Sequence, residues 1–198
     1  MSNQRLPIVI LASGAGSVAQ ALIDAVIDPR GALHQKLIIA RVITENPGAG
    51  IVERANRAGL ATSLVEFHKE QDRSVWEDQL REVIEEVDPW LVVSAGFMKI
   101  LSPTFVERFR IINTHPSLLP LFPGAHAVRD AVAAGAKESG CTLHFVDAGV
   151  DTGAVIAQRR ITIRPGESVE SLHERIKELE RELIVTGILS LAQLEEGQ

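Results

Sequence analysis

Asn113, Thr114, His115 and Pro116 follow the apolar pair Ile111-Ile112. In an extended segment, residues two apart project to the same side, so the Asn113 amide and the His115 imidazole face one pocket while Thr114 faces away. Pro116 pushes His115 toward extended geometry and helps hold that arrangement. A lone histidine is more simply read as one satisfied inside a fold. The amide beside it, at the end of a strand and ahead of the proline-rich loop SLLPLFP, favours a functional role. Asp151 lies in the loop DAGVDTG, flanked by Gly149 and Gly153. It is either a turn residue bonding its own backbone or a carboxylate that reaches His115. A carboxylate beside an imidazole favours the imidazolium and fixes its orientation. An amide donor, a tunable acid/base and an orienting carboxylate suit oxyanion stabilisation and proton movement. No serine or cysteine is placed as a nucleophile, so the trio suits direct attack of one substrate on another, as in acyl transfer to an amine.

These residues need a scaffold, and the pattern predicts one. Apolar runs at 7–12, 36–44, 61–67 and 90–96 alternate with helical patterns at 18–27, 47–59 and 74–87, the last capped by Ser74. Such alternation implies right-handed βαβ units and a parallel sheet covered on both faces. After residue 100 come a short helix, the IINTHP strand and the helix HAVRDAVAAG. Two further strand candidates, GCTLHFVDAG and AVIAQRRITI, suit an antiparallel pair at the sheet edge, and a long helix ends the chain. The expected fold is α/β: a Rossmann-like, mostly parallel twisted sheet flanked by helices, with an antiparallel C-terminal addition. The expected organisation is a single domain over 1–198, with halves 1–100 and 101–198 sharing one sheet.

The loop SGAGS at 13–17 falls between the first strand and first helix. Its glycines are either simple turn formers or a cradle that offers helix N–H groups to an anion such as phosphate. Ala19 replaces the third glycine of a dinucleotide fingerprint, and no Gly-Lys-Ser/Thr makes a P-loop. A dinucleotide-binding oxidoreductase is therefore disfavoured, although Glu45 lies close to the end of the second strand.

A net charge of −6 argues against non-specific nucleic-acid binding, and no run of about 20 apolar residues suggests a membrane span. The single cysteine, Cys141, excludes an intrachain disulfide and reads as a small buried hydrophobe. The six histidines show no metal-ligand spacing, so no metal is expected. His34 and His68 read as surface loop residues, His144 as one position of an alternating strand, and Trp76 and Trp90 as core. The run ERIKELERE reads at face value as a solvated helix face. With no signal peptide evident, the expected location is the cytoplasm.

Taken together, ILASGAGS, VVSAGFMKILSPTFV, INTHPSLLPLFPGAHA and HFVDAGVDTGAVIAQ make the chain resemble the folate-dependent formyltransferase family, in particular its members that act on glycinamide ribonucleotide. The resemblance implies transfer of formyl from 10-formyltetrahydrofolate to the ribonucleotide's amine, a step of purine biosynthesis. It implies that Asn113, His115 and Asp151 are catalytic, with Asp151 raising the His115 pKa. It places the ribonucleotide at Gly16, Ser17, Val18, Gly96, Pro116, Lys177 and Glu180. It places the folate at Arg73, Met98, Lys99, Ile100, Leu101, Asn113, Val146 and Asp147. The Leu118 to Phe122 loop resembles a mobile, water-excluding flap. Val18, Lys99 and Ala154 stand where Asn, Arg and Pro are more usual in the family. The implied partners are small molecules, with no nucleic acid or membrane, and a homodimer is compatible. The alternatives are a formyltetrahydrofolate hydrolase, a formyltransferase with another amine acceptor, and a catalytically inactive ligand-binding regulator on the same fold.

Overall fold

The computed structural model describes residues 5–197. Strand β1 (Leu6–Leu11) explains the architecture, because its residues divide between two cores. Ile8, Ile10 and the following Ala12 pack into one apolar cluster, while Val9 and Leu11 pack into another. A strand apolar on both faces must lie inside a sheet covered on both sides. Around β1 stand β2 (Leu37–Thr44), β3 (Thr62–Leu64), β4 (Leu91–Ser94), β5 (Ile111–His115), β6 (Glu138–Phe145) and β7 (Val155–Thr162). Their order is β3-β2-β1-β4-β5-β6-β7 in one seven-stranded sheet. Pairings are parallel from β3 to β5, and β5–β6 and β6–β7 are antiparallel.

Helices α1 (Ser17–Ile27), α2 (Gly50–Arg57), α5 (Ala127–Ala133) and α6 (Val169–Glu196) bury apolar residues in the first cluster. Helices α3 (Arg73–Glu85) and α4 (Pro103–Val106) cover the second, where Trp76 is fully buried. Helix α3 begins two residues earlier than expected: Asp72, not Ser74, is the N-cap, and its carboxylate accepts from the Ser74 N–H. The third strand is shorter than the 61–67 apolar run, Thr62–Leu64, the residues in register with β2. Trp90 is only partly buried, under the Arg110 guanidinium. His34 is half-buried, its Nδ1 2.8 Å from the Val26 carbonyl, whereas His68 is exposed. Cys141 is fully buried, and desolvation pushes its thiol pKa up to about 12. Among the described residues no helix is long and apolar enough to cross a membrane.

The chain reverses strand order around β1, with β2 on one side and β4 on the other. In open α/β sheets the crevice at such a switch point, outside the carboxyl ends of the strands, is where ligands bind. The loops after β1 and β4 meet there: Ser13 N–H donates to the Gly96 carbonyl at 3.1 Å, and Met98 N–H to Ser13 Oγ at 2.7 Å.

Candidate active site

Asn113 and His115 end β5, next to β4 at the switch point. Ile111 belongs to the core under α3 and α4, and Ile112 to the opposite core. Alternation then turns Asn113 and His115 to the α3 side and Thr114 to the α6 side. The antiparallel register places His144 beside Asn113 and Thr142 beside His115.

Asp151 joins these residues from the β6–β7 loop. Its Oδ2 lies 3.3 Å from His115 Nδ1 and accepts from the Gly124 N–H at 2.8 Å. Its Oδ1 lies 3.7 Å from His144 Nε2. The turn role open to Asp151 belongs instead to Asp147, whose Oδ1 accepts from the Gly149 N–H and the Thr152 hydroxyl. Asp151 itself sits at φ 55°, a left-handed conformation that aspartate tolerates better than most residues. The other ring nitrogen of His115, Nε2, lies 2.9 Å from the Phe122 carbonyl. Both nitrogens of this 5% exposed ring therefore face oxygen atoms, the Asp151 carboxylate on one side and the Phe122 carbonyl on the other.

His144, 2% exposed, was legible in the sequence only as one position of an alternating strand; the register with β5 makes it part of the cluster. Its Nδ1 lies 2.8 Å from the Phe145 carbonyl and its Nε2 3.4 Å from Asn113 Nδ2. Desolvation lowers its pKa, outweighing the Phe145 hydrogen bond and the Asp151 charge. Ser94, the last residue of β4, donates to Asn113 Oδ1 at 2.9 Å.

The proline-rich loop is tied across this cluster. Thr142 Oγ1 donates to the Ser117 carbonyl at 2.7 Å and accepts from the Leu119 N–H at 3.1 Å and Gln158 Nε2 at 2.9 Å. Gln158 also donates to the Leu119 carbonyl at 2.8 Å, and Ser117 Oγ to the Leu121 carbonyl at 2.6 Å. Neither Thr142 nor Gln158 was recognisable as a site residue without the register.

Gly16 is the N-cap of α1 at φ 71°, with no side-chain cap on the helix. A Cβ there would meet the Ile51 side chain at 2.7 Å. The first-turn N–H groups of Ser17 and Val18 thus stand at an uncapped, positively polarised helix end. Val18 turns its side chain into the core instead. Arg54, which sequence inspection missed, donates to the Ala15 carbonyl at 2.7 Å and holds the loop against α2.

The expected donor-side residues surround the 96–101 segment. Gly96 adopts φ 79°, Met98 and Ile100 are exposed, and Leu101 is buried. Lys99 Nζ lies over the Phe67 ring and 4.0 Å from the buried Glu45 carboxylate. Glu45, close to the second strand's end, is thereby turned toward Lys99. Arg73 opens α3, pairs with Glu77 at 3.3 Å and overlies Trp76, which stacks on Phe97. Arg73 is thus connected to this segment through Trp76 and Phe97. Val146 N–H donates to the Ile111 carbonyl, and Pro116 leaves β5 directly after His115.

On the α6 side, Glu180 is buried near Thr114. Desolvation raises its pKa to about 7 against the opposing influence of the Thr114 hydroxyl and the charges of Lys177 and Arg181. Lys177 is bonded to Glu174 at 2.8 Å. The helix run ERIKELERE is therefore not a uniformly solvated face.

A formyl transferase family profile matches residues 6–188. Phosphoribosylglycinamide formyltransferase of Mycobacterium tuberculosis (strain H37Rv) is 42% identical over 187 residues, 93% of this chain and 84% of that protein. Trifunctional purine biosynthetic protein adenosine-3 of Drosophila melanogaster is 44% identical over 183 residues, 91% of this chain and 13% of that longer protein. The crystal structure of glycinamide ribonucleotide transformylase 1 from Symbiobacterium toebii is similar at TM-score 0.90 and 34% identity, covering 98% of this chain and 90% of that one. With this match running through the whole switch-point cluster, the chain belongs to the formyl transferase family and is an enzyme, a formyltransferase.

Proposed function

We propose that the enzyme transfers formyl from 10-formyltetrahydrofolate to the amine of 5-phosphoribosylglycinamide, giving the N-formyl product and tetrahydrofolate in the purine (IMP) route. One observation carries this reading: an amide, an imidazole and a carboxylate converge at the sheet's switch point, beside an uncapped helix N-terminus. The helix end suits the acceptor's phosphate and the cluster suits acyl transfer. The names of the relatives, a phosphoribosylglycinamide formyltransferase and a glycinamide ribonucleotide transformylase, support the choice of acceptor.

In the proposed mechanism the amine nitrogen attacks the formyl carbon and forms the new C–N bond. The carbonyl oxygen gains negative charge, and an Asn113 Nδ2 hydrogen and the His115 Nε2 hydrogen stabilise it. The Nε2 hydrogen that now meets the Phe122 carbonyl is the one directed at this oxygen, and the loop yields it when substrates bind. Asp151 stands on the Nδ1 side and orients the ring. Collapse of the intermediate breaks the bond to N10 of the folate, and the proton lost by the amine ends on N10. Gly16, Ser17 and Val18 offer N–H groups to the phosphate, with Gly96, Pro116, Lys177 and Glu180 around the rest of the ribonucleotide. The backbone of Met98 to Leu101, with Val146 and Asp147, takes the pterin, and Arg73 meets the folate's acidic tail. The loop bound to Thr142 and Gln158 excludes water that would compete with the amine.

Single-turnover formyl transfer tests the assignment. Asn113→Ala and His115→Ala should each slow the chemical step by roughly a hundred- to a thousandfold, with ribonucleotide binding retained. An unchanged rate in either variant removes that residue from the reaction.

A further inference from the structure

Asn113 is useful to the proposed reaction only if a hydrogen of its amide, and not its oxygen, faces the formyl group. The two ends of an amide have nearly the same shape, so its neighbours must decide which end faces where. His144 supplies the first constraint. Its Nδ1 lies 2.8 Å from a carbonyl, which only accepts, so that nitrogen carries a hydrogen. In the buried, neutral ring the lone pair then sits on Nε2, and the Asn113 end 3.4 Å away must be the NH2 group. The amide oxygen consequently points to β4, where the Ser94 hydroxyl donates to it at 2.9 Å. One amide hydrogen meets His144, the oxygen meets Ser94, and the second hydrogen remains for a ligand.

Ser94 is well placed for this. It is 7% exposed and ends β4, and it is the direct parallel partner of Asn113 in the sheet, so backbone register fixes where its hydroxyl stands. A hydroxyl can serve either end of an amide, so it cannot by itself choose between oxygen and nitrogen. His144 makes that choice, and Ser94 stops the amide plane from turning about its terminal torsion, which is broad for asparagine.

We propose that Ser94 is a positioning residue for the formyl transfer, acting with His144 to hold the Asn113 amide so that its free N–H faces the transferring group. The inference rests on the reading of Asn113 as an oxyanion donor. Ser94 touches no substrate in it.

The test pairs kinetics with a direct probe of the amide. Ser94→Ala should lower kcat about three- to tenfold, the cost of one neutral hydrogen bond, and leave KM for both substrates unchanged. Ser94→Thr, which keeps the hydroxyl on a strand-compatible side chain, should restore the rate. In an Asn113→Ala background, Ser94→Ala should have no further effect, because there is no amide left to hold. Side-chain 15N relaxation of the wild-type Asn113 amide should report a rigid group, and the same group in the Ser94→Ala variant a mobile one. An equally rigid amide in Ser94→Ala, an unchanged kcat, or an equal loss in the Asn113→Ala background would each overturn the proposal. The relaxation measurement needs no turnover. A wild-type enzyme with a rigid amide but no formyl transfer would therefore refute the reaction and not the lock.

Discussion

His144 resists protonation because it is buried, and this has a measurable consequence. Its folded-state pKa is depressed below the ordinary histidine value of 6.5, while the unfolded chain titrates near that value. The stability contributed by the neutral ring is therefore complete above pH 6.5 and is lost as pH falls through the lowered folded value. Denaturant unfolding should show wild-type stability falling below pH 6.5, with a shallower fall in His144→Gln. Equal slopes in the two proteins would contradict a buried neutral ring. At this scale the sequence was informative where local rules suffice. Two-residue spacing and Pro116 were enough to pair Asn113 with His115, and Thr114 does face away, toward Glu180. His144 and Ser94 could not be found in the same way. Each becomes a neighbour of Asn113 only through strand register, which depends on which strands pair and in which direction.

The loop from Ser117 to Gly124 is an element without regular structure, held by side chains of β6 and β7. Thr142 uses its one hydrogen and both lone pairs in three hydrogen bonds to the loop and Gln158. Thr142→Val removes all three and leaves buried partners unsatisfied, a loss of about 1–3 kcal/mol for each such group. The Ser117–Leu119 amides of that variant should exchange hydrogen faster than those of wild type or Thr142→Ser; identical exchange would show the loop to be held elsewhere. The β6–β7 turn is equally constrained. A Cβ at Gly153 would stand 1.7 Å from the Phe145 carbonyl oxygen, so Gly153→Ala must displace the backbone next to Asp151. That variant should lose both stability and formyl transfer, and a wild-type melting temperature would contradict the packing. Most elements were legible from apolar period, the long β7 and α6 among them. The shortening of β3 and the Asp72 cap of α3 were not, because pairing partners and cap geometry decide them, not hydropathy.

Across the whole molecule, one sheet carries the α1 loop and the cluster on β5 and β6 on either side of the point where strand order reverses. The alternation of strand and helix patterns made this parallel core readable, and the Asn-x-His-Pro motif made the family readable. The charge run on α6 was harder, since periodicity alone does not reveal that Glu180 is buried under Thr114. Its carboxyl pKa is raised from 4.5 to about 7, so between these values the folded state holds a proton that the unfolded chain has released. Stability must then fall as pH rises through that window, by an amount on the order of 3 kcal/mol at most. Glu180→Gln, neutral throughout, should flatten the profile between pH 4.5 and 7, and an unchanged slope would contradict the burial. The central claim is tested most directly by following folate turnover spectroscopically in purified enzyme given 10-formyltetrahydrofolate, with and without phosphoribosylglycinamide, beside His115→Ala. Turnover should require the ribonucleotide and collapse in the variant. Turnover that proceeds equally well without the ribonucleotide would identify a hydrolase and contradict that claim.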